Sequence, residues 1–188
     1  MPVNYRETSG TETLYQRSQY NKGGLTRSYW DHRDRVILDS IPAGAKVILD
    51  AGCGEGLTLE KLIRRYPDSL ISGIDISDEN ISICRRFGLP VSRGDVYNLS
   101  MPDSYVDCCI LSEVIEHLDD PKSAFLEIKR ILKPGGRLIL VFPNDLVLKC
   151  SRILTLKFKE AFYDPGHCRQ WTPRAMRQCL GVAGFTVI

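Results

Sequence analysis

Residues 49–56 read Leu-Asp-Ala-Gly-Cys-Gly-Glu-Gly, with three glycines at alternate positions, one acid before them and another among them. Glycines between a strand and a helix let the backbone turn sharply and come close to a ligand. The spacing is G-x-G-x-G rather than the G-x-G-x-x-G that sets a pyrophosphate against a helix N-terminus. Asp50 and Glu55 bracket the turn and would repel a pyrophosphate unless both were turned away. A ligand carrying an ammonium and a sulfonium suits such a loop better.

Two further acids follow apolar runs. Asp75 closes Leu-Ile-Ser-Gly-Ile-Asp, where a carboxylate can accept from both ribose hydroxyls, a role common to several nucleoside cofactors. Asp95, in Arg-Gly-Asp-Val, is placed to accept from an adenine amino group. Glu113, Glu116 and His117 in Ser-Glu-Val-Ile-Glu-His-Leu are spaced i, i+3, i+4, which gathers them on one face if the segment is helical. With His167 from a later loop, that set would suit magnesium or manganese, and a bound ion would lower the pKa of a substrate hydroxyl. Without a metal, His117 and Glu116 remain candidates for acid–base work.

These residues need a scaffold that brings distant loops together, and the pattern supplies one. Short β runs alternate with helix-period segments: strands at 46–50, 70–75, 90–92, 106–111, 137–142 and 185–188, with helices between them. Ser77, Asp120-Pro121 and Thr172-Pro173 read as helix starts; Gly88, Pro134-Gly135-Gly136 and Gly184 read as stops. The expected fold is α/β: a doubly wound, mostly parallel sheet with its ligand crevice beyond the carboxyl ends of the strands. Residues 1–45 are expected to form an N-terminal helical cap and 46–188 the cofactor domain, with 143–171 a lid insertion.

The remaining bounds are broad. At 188 residues the chain suits one domain, and 43% hydrophobic with 26% charged residues is a globular composition. A net charge of +2 falls short of a nucleic-acid footprint, so a nucleic-acid partner is not expected, and charge by itself names no other. Seven cysteines form no C-x-x-C pair and read as reduced thiols. No apolar run is long enough to span a bilayer and no export signal is apparent, which places the protein in the cytoplasm.

The motifs VILDAGCGEG, ISGIDIS, RGDVYNL, DCCILSEVIEHL, ILKPGGRLILVFP and HCRQWTP…LGVAGF, in this order, resemble the class I S-adenosylmethionine-dependent methyltransferases, in particular the methyltransferase type 11 and ubiquinone-biosynthesis-like group. The resemblance implies a Rossmann-like methyltransferase fold, the cofactor S-adenosyl-L-methionine and methylation of a small molecule, on oxygen. It implies that Asp50, Gly52, Cys53, Gly54 and Gly56 hold the methionine part, Asp75 and Ile76 the ribose, Asp95 and Val96 the adenine, and Ser112 the reactive end. The Asn/Asp-Pro-Pro-Tyr sequence that marks methylation of amino groups on bases is replaced by Leu111-Ser112-Glu113. The family's sheet ends in a seventh, antiparallel strand; the residues stop at Ile188, so that C-terminal strand is expected to be missing.

The Glu113, Glu116, His117 and His167 set is similar to the divalent-metal site of small-RNA 3′-end 2′-O-methyltransferases. A metal-dependent RNA methyltransferase is therefore one alternative, and a non-catalytic S-adenosylmethionine-binding module another. The basic amphipathic stretch 146–162 could touch a membrane surface, although a packed lid is the plainer reading. Tyr15, Tyr20, Tyr29 and Trp30 are expected to be core residues before they are partners of a sulfonium. His32, in the charge-rich Asp31–Arg35 stretch, reads as solvated surface.

Overall fold

The computed structural model describes residues 15–142 and 171–188. Two helices, α1 (Tyr15–Asn21) and α2 (Gly24–Ser40), precede an alternating series: β1 (Val47–Ala51), α3 (Leu57–Arg65), β2 (Leu70–Asp75), α4 (Asp78–Arg86) and β3 (Val91–Arg93). Then come β4 (Val106–Ser112), a 3₁₀ turn (Ile115–His117), α5 (Pro121–Ile131), β5 (Leu132–Val141) and α6 (Pro173–Val182). Among the described residues no helix is long and apolar enough to cross a membrane.

The five strands pair in parallel in the order β3-β2-β1-β4-β5. Strand side chains alternate between faces, so both faces of a doubly covered sheet must be apolar. Ile48, Ile71, Cys108, Ile110 and Ile139 pack on one side with Ile37 and Ile41 at the end of α2 and with Leu59 and Leu62 of α3. Their neighbours Leu49, Ala51, Ile74, Cys109 and Leu111 pack on the other with Phe125, Ile128 and Ile131 of α5 and Met176 and Leu180 of α6.

The helix starts are local hydrogen-bond events. The Ser77 side chain accepts from the Asn80 N–H, Asp120 from Ser123 and Thr172 from Ala175, each satisfying an amide that has no partner within its helix.

Two expectations are corrected. Pro134-Gly135-Gly136 does not separate α5 from the next strand: β5 begins at Leu132, directly after the helix. Register passes from Val106 opposite Leu132 to Cys108 opposite Arg137, so the Pro-Gly-Gly stretch is taken up as a bulge. Residues 185–188 form no strand. A strand needs a ladder partner for its amides and carbonyls. Here the Phe185 N–H instead donates to the Leu180 carbonyl, and its ring meets Phe125 edge-on at 6.3 Å.

Candidate functional site

Strand order reverses between β1 and β4, and the loops beyond that point define the crevice of an open α/β sheet. Register puts Asp50 opposite both Gly73 and Ile110, Asp75 opposite Arg93, and Ser112 opposite Val141. Asp50, Asp75 and Ser112 therefore lie along one carboxyl edge, with Asp95 two residues beyond β3. The three acids read from sequence share a side of the molecule.

The glycine loop leaves β1 in a sharp bend: the Gly52 and Cys53 amides both donate to the Ile74 carbonyl, at 2.8 and 2.9 Å. Gly52 has φ 78°, and a Cβ there would stand 2.3 Å from Val114 Cγ2. A side chain is excluded twice, by backbone conformation and by contact. Gly54 N–H donates to Asp75 Oδ2 at 2.8 Å, while Asp75 Oδ1 accepts from the Ser77 amide and the Asn80 side chain. Asp75 thus joins the loop to the start of α4.

Asp50 is buried, and its Oδ2 has no hydrogen-bond partner in the structure. Burial pushes its carboxyl up to about 7; the negative charges of Asp34 and Asp75 add to this and the Arg33 guanidinium opposes it. Ser112 Oγ, at the end of β4, is likewise buried without a partner. Such groups need compensation, and a polar ligand in the crevice is the kind that would supply it. Asp95 is half-buried and accepts from the Tyr97 amide at 2.9 Å; Val96 beside it is buried. Ile76, half-buried, follows Asp75 and its carbonyl accepts from Arg93 Nε.

Cys53 and Cys84 are buried, and both thiols reach the Gly54 carbonyl, at 3.9 and 3.2 Å. The interaction of the two thiols pushes that of Cys53 up and draws that of Cys84 down, with Arg17 adding to the latter.

Glu55 is taken up by α1. Its carboxylate accepts from the Gln16 and Arg17 amides of α1 at 2.8 and 2.9 Å. The expected repulsion of a pyrophosphate by Glu55 is therefore corrected: helix docking has claimed that charge.

The Glu113, Glu116 and His117 set is corrected as well. Glu113 has φ 55°, outside helical backbone, and only Ile115–His117 turn, as a 3₁₀ helix. The i, i+3, i+4 face of an α-helix does not exist there. Glu113 Oε1 accepts from the Tyr29 hydroxyl at 2.8 Å and Oε2 from Arg33 at 3.1 Å. Glu116 is buried and His117 half-buried. Among the described residues no three His, Cys, Asp or Glu side chains are grouped to hold a metal. His167 and residues 143–170, which include most of the lid and all of 146–162, lie outside the described residues.

His32 is exposed, as expected, but the charge-rich stretch around it is partly core. Asp34 is 1% exposed and accepts from Arg33, Thr58 and Lys61. The signal was available: Trp30, Asp34, Ile37, Leu38 and Ile41 recur at helical spacing, which puts Asp34 on the inner face. Conversely, Tyr29 is exposed rather than core, held by its hydroxyl on Glu113. Desolvation of the half of the side chain that is covered, together with the Glu113 carboxylate, pushes its phenol up to about 12. Tyr20 and Trp30 are half-buried and stacked by cations: Arg27 and Lys61 over Tyr20, Arg33 over Trp30.

Residues 49–140 match the family model described as a methyltransferase domain. A probable S-adenosylmethionine-dependent methyltransferase of Mycolicibacterium smegmatis is 29% identical over 88% of this chain and 62% of its own. A tRNA (carboxymethyluridine(34)-5-O)-methyltransferase of Arabidopsis thaliana is 34% identical over 70% of this chain and 33% of its own. The chain thus spans between a third and about three-fifths of the length of these curated relatives. The crystal structure of a SAM-dependent methyltransferase from Archaeoglobus fulgidus shares the fold, with a TM-score of 0.71 and 22% identity over 93% of this chain and 75% of that one.

Proposed function

We propose that the chain, whose residues 49–140 match the methyltransferase-domain model, is a class I S-adenosylmethionine-dependent methyltransferase that transfers a methyl group to an oxygen of a small molecule. The observation that carries the reading is the alignment of Asp50, Asp75 and Ser112 along one edge, where the Oδ2 of Asp50 and the Oγ of Ser112 are buried without partners. When bound, the cofactor supplies an electrophilic methyl on a positively charged sulfur.

The protein's task is placement, which can contribute several kcal/mol to a displacement of this kind. Asp50 and the Gly52, Cys53, Gly54 and Gly56 backbone would hold the methionine part. Asp75 and Ile76 would hold the ribose, Asp95 and Val96 the adenine, and Ser112 would border the reactive end. His117, beyond β4 on the same edge, is the base proposed to take the acceptor's proton, with buried Glu116 close by in the same turn; His167 remains a candidate from sequence. A divalent ion is left out, because Glu113 is committed to Tyr29 and Arg33. Residues 1–45 are proposed as a cap over the domain 46–188, with 143–171 as its lid, in a reducing compartment such as the cytoplasm.

A second reading, RNA as the acceptor, is favoured by the likeness to the plant tRNA enzyme; the net charge of +2 weighs against it. Calorimetry with S-adenosylhomocysteine and NAD tests the cofactor, and heat with NAD alone would overturn the proposal. Radiolabelled methyl transfer in cell extract, with and without ribonuclease, tests the acceptor. Label in a small molecule is expected, and label confined to RNA would overturn that part.

A further inference from the structure

Between Gly54 and Gly56 the glycine loop offers a single side chain, that of Glu55, by which the rest of the protein can grip it. Every polar group of Glu55 is engaged by two adjacent residues of α1. Its carboxylate oxygens accept from the Gln16 and Arg17 amides, at 2.8 and 2.9 Å. Its carbonyl accepts twice from the Arg17 guanidinium, at 3.0 and 2.8 Å, and its own amide donates to Gln16 Oε1 at 3.1 Å. The Gln16 carboxamide also fills the space beside Gly54, where Oε1 would stand 2.6 Å from an added Cβ.

The grip extends past the loop. The Arg17 guanidinium also bonds Glu60 of α3 and lies over the Phe87 ring at the end of α4, 3.7 Å from its centroid. Arg17 is buried, so these bonds are little shared with water. A glycine-rich loop loses more conformational entropy on ordering than any other backbone. If α1 orders it beforehand, a ligand of the loop need not meet that cost again.

Resting on the cofactor reading above, we propose that Arg17 and Glu55 are positioning residues. Docking of α1 through them sets the glycine loop in its ligand-holding shape, so that cofactor binding and α1 docking strengthen one another. Linkage makes the effect reciprocal: whatever factor α1 docking adds to cofactor affinity, the cofactor adds to α1 docking.

Two measurements on the full chain test this, with S-adenosylhomocysteine as probe. By calorimetry, Glu55→Ala and Arg17→Ala should each raise Kd about tenfold, a size typical of coupling between sites. Glu55→Gln, which retains one acceptor oxygen, should fall between. Arg130→Ala, which breaks ion pairs to Glu127 and Asp103, should leave Kd unchanged. By hydrogen exchange, the amides of α1 in the unaltered protein should exchange about tenfold slower with the probe bound, and this difference should vanish in Arg17→Ala. A purely structural bond would stabilise α1 equally with and without ligand.

Unaltered α1 exchange on binding, or unchanged Kd in both alanine variants, would overturn the coupling while leaving the cofactor reading intact. The exchange comparison needs no variant to fold. Failure of the unaltered protein to bind the probe would overturn the cofactor reading, and the coupling with it.

Discussion

Arg33 of α2 holds Glu113, the first residue past β4, through a 3.1 Å contact between its guanidinium and Glu113 Oε2. Glu113 sits at φ 55°, a conformation that costs a non-glycine residue on the order of 1 kcal/mol, and it is kept there by Arg33 and Tyr29 together. The same guanidinium bonds Asp34 at 2.8 Å, and both side chains are largely buried. One arginine thereby ties the helix before the sheet to the crevice edge.

Arg33→Met should consequently be among the more damaging single changes. It leaves Asp34 buried with Lys61 and Thr58 as its remaining partners, and loss of one member of a buried pair costs about 3 kcal/mol. Urea unfolding at neutral pH should show a fall of that size. A change within the error of the fit would mean that Lys61 alone neutralises Asp34.

Asp50 predicts a pH dependence of unusual sign. Its folded pKa, about 7, stands above the 3.8 of an unperturbed carboxyl, so the folded protein keeps a proton that the unfolded chain releases. Its contribution to stability therefore falls as pH rises from about 4 to 7 and is level above that, for a total of roughly 4 kcal/mol at most. Asp50→Asn should remove this slope. Unfolding free energies from pH 4.5 to 7.5 should diverge between variant and parent as pH rises, and parallel curves would refute the assignment.

The same carboxyl should release its proton when a cation arrives. Binding of S-adenosylhomocysteine, which carries an ammonium, should expel up to one proton at pH 6, because a nearby positive charge favours the ionised form. Binding enthalpies measured in buffers of different ionisation heat should show that release in the parent and not in Asp50→Asn.

Gly52 and Val114 form a contact that can be tested from both sides. Gly52→Ala sets a Cβ 2.3 Å from Val114 Cγ2 and imposes a left-handed conformation on alanine, at about 1–2 kcal/mol for the conformation alone. Adding Val114→Ala should relieve the clash and leave the conformational part. The double variant should recover part of the lost thermal stability; no recovery would place the whole cost in the backbone.

Asp75→Asn should weaken cofactor binding by about tenfold or more. An asparagine in the same rotamer retains one acceptor oxygen where Asp75 offers two, and Gly54, Ser77 and Asn80 all donate to that side chain. Charged hydrogen bonds of this kind contribute about 1.5–3 kcal/mol. Calorimetry with S-adenosylhomocysteine checks it, and unchanged affinity would show that Asp75 neither shapes the loop nor meets the ligand.

Much of the fold was legible because it is governed by near neighbours along the chain. The Ile48 and Leu49 alternation, the caps at Ser77, Asp120 and Thr172, and the acids following β1, β2 and β3 are patterns whose physics acts within a few residues. The resemblance to a known family then joined those acids to one ligand. By contrast, the final strand was misread at 185–188, since extended backbone becomes a strand only when another edge accepts its hydrogen bonds.

What only the tertiary structure decided is the direction in which charged side chains turn. Glu55 follows a loop glycine in sequence, and nothing local says whether its carboxylate meets a ligand or a helix; α1 arriving from 38 residues away settles that. Glu113, Glu116 and His117 have metal-like spacing, yet Arg33, 80 residues from Glu113, draws one of them aside. The sequence alone determined which residues stand at the carboxyl edge, through periodicities that are local. Their partners were decided by packing, because electrostatic and hydrogen-bond choices depend on distance in space rather than along the chain.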